Sequence, residues 1–196
     1  MARGTIYRVF FRRRREDRTD YRLRKKLIIS GSLRLVIRKS LNHMNLQLVE
    51  AKIEGDRILV HANTIELSKF GWKGGTGNLP AAYLAGYLLG KRAIKKELKS
   101  AIVDFNGYKM TGSNRLYTAL KGAIDAGVEI PHQEDVIPED ERVSGAHIVK
   151  YAESMQKEDP AKYQAYFSQY LANGIAPEKL VEHFEETKGA IEKEVQ

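Results

Sequence analysis

The stretch LRLVIRKSLNHMNLQLVEAKIEGDRILVHAN, residues 33–63, carries the apolar–polar alternation of β-strands in three successive segments. We predict strands over residues 33–39, 45–53 and 58–63. In the first segment one face is apolar, with Leu33, Leu35 and Ile37. The opposite face carries Arg34, Val36 and Arg38. Because the connections between the segments are short, we expect an antiparallel three-strand meander.

The strand-like alternation of apolar and polar residues ends after the meander. The segment FGWKGGTGNLP, residues 70–80, is a glycine-rich loop that leads into a helix predicted over 79–98. A buried strand over 100–105, a helix over 115–126 and a short strand in VEIPH, residues 128–132, follow. The sequence therefore predicts an α/β fold whose mixed sheet contains the antiparallel meander followed by α-β-α-β.

Less regular segments flank this core. Residues 1–20 show no periodicity that would bury a face, and we expect an extended arm ordered only on a partner. A short basic helix is predicted over 21–29. Beyond an acidic linker, three helices are predicted over 142–156, 160–172 and 177–194. We divide the chain into a basic arm with a short helix, an α/β core domain, and a C-terminal region of linker and helices, at residues 1–29, 30–132 and 133–196.

The charge distribution is strongly asymmetric. The net charge is +8, yet residues 1–100 carry 23 Lys and Arg against 8 Asp and Glu, whereas the remaining residues are net negative. One face built for a polyanion is therefore expected, and the C-terminal region need not touch that polyanion. The chain has no cysteine, which excludes disulfides and thiolate metal sites. Residues 2–27 lack the apolar stretch of a signal peptide, so we expect a cytoplasmic protein.

The densest positive charge lies in Arg12–Arg15. A guanidinium matches phosphate geometry, and neutralising phosphates releases condensed counterions. Aromatic residues lie among these cations and can stack on unpaired bases. We predict RNA binding; a solvated tail, a membrane-surface patch and a targeting signal are the alternatives. The candidate RNA-binding residues here are Arg8, Arg12, Arg13, Arg14, Arg15, Arg18, Tyr21, Arg22, Arg24 and Lys25.

Three further segments offer polar groups to RNA: the turn RKSLNH at residues 38–43, the glycine-rich loop, and the approach to the helix at Arg115. Their candidate RNA-binding residues are Arg38, Lys39, Asn42, His43, Trp72, Lys73, Lys109, Thr111 and Arg115. Each has a structural alternative. The first is an ordinary polar hairpin turn, the second a loop with Trp72 packed beneath it, and the third helix capping by Ser113 or Asn114.

Catalytic patterns are weak. The five histidines show no metal-ligand spacing, and we expect neither a cofactor nor a bound metal. Asp104 ends a predicted strand, where carboxylates of metal-dependent nucleases often lie, but two-metal chemistry needs several carboxylates. A nuclease therefore stays the minor alternative to a non-enzymatic RNA-binding protein. A protein-interaction adaptor that works through the C-terminal helices is a third possibility.

Five stretches together resemble a known family. They are FRRRREDRTDYRLRKKL, RKSLNH, KFGWKGGTGNLPAAYLAGYLLGKRA, LKGAIDAGVEIPH and FSQYLANGIAPEKL. In this order they are similar to the archaeal and eukaryotic form of a large-subunit ribosomal protein, called protein eighteen in bacteria and archaea and protein five in eukaryotes. The likeness runs from about Val9 to the C-terminus.

This resemblance implies a structural constituent of the large ribosomal subunit that binds 5S rRNA. It implies that the protein anchors this RNA to the large-subunit rRNA in the central protuberance, beside neighbouring ribosomal proteins. It also implies a core similar to the ribonuclease-H-like layer, without that chemistry. The basic arm is expected to make much of the RNA contact, and the charge pattern alone does not say which RNA is bound.

Overall fold

The computed structural model describes residues 4–195 and contains a four-stranded mixed sheet in the order β3-β2-β1-β4. Strands β1 (Arg34–Lys39), β2 (Met44–Lys52) and β3 (Gly55–Asn63) form the antiparallel meander. Strand β4 (Ile102–Asp104) lies parallel to β1. The predicted mixed α/β sheet is confirmed.

The prediction of a last strand in VEIPH is wrong. Only one isolated bridge forms there, between Ser100 and Glu129. Glu129 exchanges backbone hydrogen bonds with Lys99 and Ala101. Pro131 has no N–H to donate, so the ladder does not continue. Within the described residues, the sheet therefore has four strands and β4 lies at its edge.

Two helices cover the apolar face of the sheet. Helix α3 (Leu79–Lys95) begins at Asn78, whose side chain accepts from the Ala81 N–H. Helix α4 (Arg115–Asp125) begins at Asn114, so the capping alternative is confirmed for Asn114 and not for Ser113. A 3₁₀ segment, Thr64–Phe70, joins β3 to the glycine-rich loop. The core between these layers includes the fully buried Leu35, Ile37, Met44, Leu46, Leu84, Leu88, Leu116 and Leu120.

Helices α3 and α4 approach each other closely because glycines line their contact. A Cβ added at Gly86 would collide with the Ala119 carbonyl, and one at Gly122 with the Tyr83 carbonyl. These glycines are needed for space, since their backbone is helical and imposes no unusual φ. These glycines lower the intrinsic helix propensity of α3 and α4, but they allow the two helices to pack closely.

Substituting Gly86→Ala is therefore expected to destabilise the protein by roughly 1–3 kcal/mol, because the added methyl forces two backbones apart. Gly189→Ala is the matched control. Gly189 lies in helix α9 (Leu180–Val195), where an added Cβ meets nothing within 4 Å. It should gain up to about 1 kcal/mol from propensity alone. Urea denaturation measures both, and a stabilising Gly86→Ala would contradict this packing.

The N-terminal region is more structured than expected. Residues 12–15 form a single helical turn, α1 (Arg12–Arg15), and not extended chain. Helix α2 (Tyr21–Ile29) has the predicted bounds, with Asp20 as its N-cap. Residues 1–3 of the predicted arm and Gln196 of the predicted C-terminal region lie outside the described residues.

The C-terminal region contains more, shorter helices than predicted. After the 3₁₀ turn Glu134–Val136, the predicted first helix is interrupted at Gly145, which has φ +89°, and the second at Phe167. The resulting helices are α5 (Asp140–Ser144), α6 (Ala146–Glu158), α7 (Pro160–Tyr166) and α8 (Ser168–Ala172), and the 3₁₀ turn Pro177–Lys179 precedes α9.

Two apolar clusters hold this region together. Helix α9 returns to the main core, where Leu180, Phe184 and Ile191 are buried beside α3. A smaller cluster forms among α6, α7 and the α7–α8 junction, with Ala152, Met155, Tyr163 and Phe167. No helix between residues 4 and 195 combines the length and apolarity that a bilayer crossing requires.

Candidate nucleic-acid interface

The arginine turn α1 lies on the surface and has few partners of its own. None of its residues is buried. Arg12 Nε lies 3.5 Å from the Glu16 carboxylate, and Arg13 Nε donates to Thr19 Oγ1 at 2.9 Å. The guanidinium of Arg14 lies 4.1 Å from the centre of the Phe10 ring. Four like charges within one turn repel each other, so the turn favours an anionic partner.

The end of the arm is fixed to the core by one buried side chain, Asn106. Its Oδ1 accepts from the Asp20 N–H at 2.7 Å, and its Nδ2 donates to the Asp20 carbonyl at 3.0 Å. The next residue, Gly107, has φ +90°, and a Cβ there would come within 2.9 Å of the Arg18 carbonyl. The expectation that the arm orders only on a partner is thus corrected for the segment around residues 18–20.

Substituting Asn106→Ala should release the arm, because both hydrogen bonds to Asp20 are lost. We expect faster amide exchange and faster tryptic cleavage over residues 8–20. Amides of α3 are the internal control, and their protection should change little. Equal arm protection in the variant and the wild type would show that Asn106 does not hold the arm.

A buried arginine lies beneath α2 on the second face of the sheet. Arg34 is 0% exposed, with Nη1 3.2 Å from Asp104 Oδ2 and Nη2 2.7 Å from Asp56 Oδ1. Arg24 of α2 also donates to Asp56, at 2.8 Å. Burial alone would raise the pKa of the Asp56 carboxyl. Hydrogen bonds and positive charge from Arg24 and Arg34 outweigh burial and hold the pKa below its ordinary value.

The same network occupies Asp104, the candidate nuclease residue. Besides Arg34, its carboxylate lies 3.5 Å from Arg38 Nη2 and accepts from the Asn106 N–H at 3.0 Å. It is 1% exposed. Among residues 4–195, no group of three or more His, Asp or Glu side chains is arranged to hold a metal ion. Asp104 is therefore a structural carboxylate paired with arginine, and the nuclease alternative loses its proposed ligand.

The end of β1 meets the loop after β4. Tyr108 Oη lies 3.0 Å from both the backbone N and the carbonyl O of Lys39, accepting from the first and donating to the second. The Arg38 guanidinium and the Lys39 ammonium lie 5.9 and 5.4 Å from the Tyr108 ring centre. Tyr108 follows Asn106 by two residues, so the arm and the end of β1 share one stretch of surface.

The turn after β1 is fixed to the glycine-rich loop, and the loop in turn is fixed to α4. Thr76 Oγ1 donates to the Asn42 carbonyl at 2.9 Å and lies 3.0 Å from His43 Nδ1. Arg115 Nη1 donates to the Gly77 carbonyl at 2.7 Å. The structure thus brings the turn after β1, the glycine-rich loop and the start of α4 together, although they are far apart in the sequence.

Trp72 supports the loop from below. It is 3% exposed, and its Nε1 donates to the Gly75 carbonyl at 3.2 Å. Its ring stacks on His183 of α9 with centroids 5.2 Å apart. His183 Nε2 accepts from the Lys73 N–H at 3.1 Å, and burial lowers the pKa of His183. This burial supports the alternative in which Trp72 packs beneath the loop. The prediction that Trp72 contacts RNA is therefore wrong for this structure.

Comparison with known proteins identifies the family. Residues 5–109, more than half of the chain, match the family model described as ribosomal large subunit proteins 60S L5, and 50S L18. The chain belongs to this family. It is also similar to the large ribosomal subunit protein uL18 of Aeropyrum pernix, with 48% identity over 194 residues, 98% of this chain and 91% of that protein.

These matches confirm the resemblance drawn from the five motifs, including its archaeal type. An L5/L18-family chain is a structural constituent of the large subunit of the cytoplasmic ribosome, with rRNA and ribosomal proteins as partners. Family membership also implies a protein without catalysis. The family model ends at residue 109, so the C-terminal helices lie outside that match, although the archaeal relative spans them.

The remaining candidate residues of this L5/L18-family chain divide by exposure. Arg24 and Arg38 are held by Asp56 and Asp104, so only part of each guanidinium faces outward. Tyr21, His43 and Arg115 are half-buried. The exposed candidates are Arg8, Arg12, Arg13, Arg14, Arg15, Arg18, Arg22, Lys25, Lys39, Asn42, Lys73, Lys109 and Thr111. Sequence reasoning missed Asn106, whose short-range pattern is that of an ordinary turn residue, and missed residues of α8 described below.

Proposed function

We propose that the protein binds 5S rRNA and anchors it to the large-subunit rRNA in the central protuberance. The observation that carries this proposal is the exposed arginine turn, which concentrates four guanidinium groups and, among residues 4–195, forms one ion pair within 4 Å, from Arg12 to Glu16. Family membership supports an rRNA partner, and the five-motif resemblance supports 5S rRNA as that partner.

Two neighbouring surfaces divide the work of binding. The arm and α2 neutralise backbone phosphates with Arg8, Arg12–Arg15, Arg18, Arg22 and Lys25. The end of β1, the turn at residues 40–43 and the glycine-rich loop add hydrogen-bond donors for phosphate, ribose or base edges. Asn106 keeps the arm beside these donors, which lowers the entropy lost when RNA binds.

Counterion release should make this binding strongly salt-dependent. The slope of log affinity against log salt is expected to be roughly −0.7 to −0.9 for each phosphate contacted, so about −3 for Arg12–Arg15 alone. The measurement is a salt titration with 5S rRNA and, as the control, an unrelated RNA of equal length. Specific protection of 5S rRNA in a footprint is also expected. A flat salt response, or the same footprint on both RNAs, would refute the proposal.

A further inference from the structure

A polar cavity of about 360 Å³ opens where α8 meets the glycine-rich loop and the turn after β1. We call it the junction pocket. Its lining includes Asn42, His43, Lys73, Gln169, Tyr170 and Asn173. Its size is near the lower end of the range for small-ligand sites, which is enough for one planar group and not for a helix.

The pocket is held open by hydrogen bonds across its walls. Asn173 Nδ2 donates to the Lys73 carbonyl at 2.9 Å, and Asn78 Nδ2 donates to Tyr170 Oη at 3.3 Å. These two bonds fix α8 against the glycine-rich loop. Thr76 fixes the opposite wall through the Asn42 carbonyl. The pocket therefore belongs to the packed fold, because each wall is bonded to its neighbour.

Its chemistry suits an anion with a planar apolar part. No Asp or Glu lines the pocket within the described residues, although the C-terminal region is acidic overall. Lys73 supplies an exposed ammonium. Gln169 is exposed and makes no side-chain hydrogen bond to other residues between 4 and 195, so its amide can donate and accept. Leu41, also in the lining, is 90% exposed and offers an uncovered apolar surface.

We propose that the junction pocket takes one unpaired nucleotide of the ribosomal RNA that the protein binds. Leu41 contacts the base face, the Gln169 amide pairs with a polar edge of the base or ribose, and Lys73 pairs with the phosphate. The C-terminal helices thereby become part of the RNA interface, in contrast to the expectation that this region need not touch a polyanion. This inference rests on the proposed RNA-binding function.

Two single variants test the pocket, each with a control elsewhere on the C-terminal helices. Gln169→Ala should weaken binding to 5S rRNA or to large-subunit rRNA by about 2- to 10-fold, the range of one hydrogen bond, with an unchanged salt slope. Lys73→Ala should weaken the same complex and reduce the slope by roughly 0.7–0.9. Gln164→Ala and Lys157→Ala, both exposed and outside the pocket, should bind within about twofold of the wild type.

Thermal unfolding of all four variants should stay close to the wild type, because the replaced side chains are exposed. Ultraviolet crosslinking of the wild-type complexes should also give a nucleotide adduct on Tyr170 or Lys73. Wild-type affinity of both pocket variants for both RNAs, or no adduct at the pocket, would overturn this inference. A different result separates the two proposals. If the wild type does not recognise 5S rRNA, and the pocket variants bind large-subunit rRNA more weakly than the wild type does, the pocket is supported and 5S rRNA is refuted as the partner.

Discussion

Replacing Arg12, Arg13, Arg14 and Arg15 together with alanine is expected to weaken binding to 5S rRNA by roughly 10³-fold at about 0.1 M monovalent salt. Each phosphate contact contributes a slope of about 0.7–0.9, so four contacts contribute about 2.8–3.6 powers of ten at that salt concentration. Because no residue of this turn is buried, the free energy of unfolding should change by no more than about 0.5 kcal/mol. A filter-binding or fluorescence titration measures the affinity.

The control for this variant removes the same charge from another place. Lys150, Lys157, Lys162 and Lys193 are exposed on the C-terminal helices, and replacing them with alanine lowers the net charge equally. If net charge alone attracted the RNA, both quadruple variants would lose affinity to the same extent. We expect a loss of less than about tenfold for the lysine variant, since these lysines are spread over three helices and two of them are already paired with carboxylates. Equal losses would contradict a localised arginine contact.

Replacing Arg34 with methionine is expected to lower the free energy of unfolding by about 3–5 kcal/mol, the cost of leaving a buried charge without its partner. Arg34 is 0% exposed and lies between the Asp56 and Asp104 carboxylates. Without it, the buried Asp104 carboxylate keeps the hydrogen bond from the Asn106 N–H, and its remaining ion pair among the described residues is the 3.5 Å pair with the half-exposed Arg38. The change also removes the support that Arg34 gives to Asp56, the residue to which α2 is attached through Arg24.

Urea denaturation measures this effect, and two further variants define its cause. Arg57→Met, at an exposed position of β3, should change stability by no more than about 0.5 kcal/mol. Combining Arg34→Met with Asp104→Asn should cost less than the sum of the single changes, because the second removes the charge that the first exposes. A cost below about 1 kcal/mol for Arg34→Met, or strict additivity, would mean that the pair contributes little.

Local pattern predicted the four observed strands, but it added VEIPH as a fifth and gave no sign of how Arg34 is buried. The alternation of residues 33–39 identified β1 and placed Leu35 and Ile37 in the core, as observed. The same alternation placed Arg34 on the face opposite the core, where the structure shows it 0% exposed. Arg34 pairs there with Asp56, which also binds Arg24 of α2, and with Asp104, so the carboxylates that stabilise it come from positions 22 and 70 residues away. Periodicity carries no information about such distant pairing.

In the candidate interface, too, some features could be predicted from the local sequence and others depend on contacts between distant segments. Exposed cations on short or irregular segments were recognisable from charge alone, because nothing in their surroundings could bury them. Trp72 was ambiguous, since a loop tryptophan can contact a ligand or support the loop, and only the position of His183 decides between these. Gln169 and Asn173 lie in the stretch FSQYLANGIAPEKL that carried part of the family resemblance, but nothing in the sequence marked them as residues of a pocket. Their role depends on the docking of α8 beside the glycine-rich loop. The hydrogen bond that joins these two segments connects Asn173 with Lys73, which are 100 residues apart in the sequence.

The most direct test is a high-resolution map of the large ribosomal subunit that contains this protein. We predict that the guanidinium groups of Arg12–Arg15 lie within about 3 Å of phosphate oxygens of 5S rRNA, in charge-assisted hydrogen bonds. A map in which this turn faces solvent or packs only against protein, with the 5S rRNA backbone elsewhere, would show that the proposed contact is wrong.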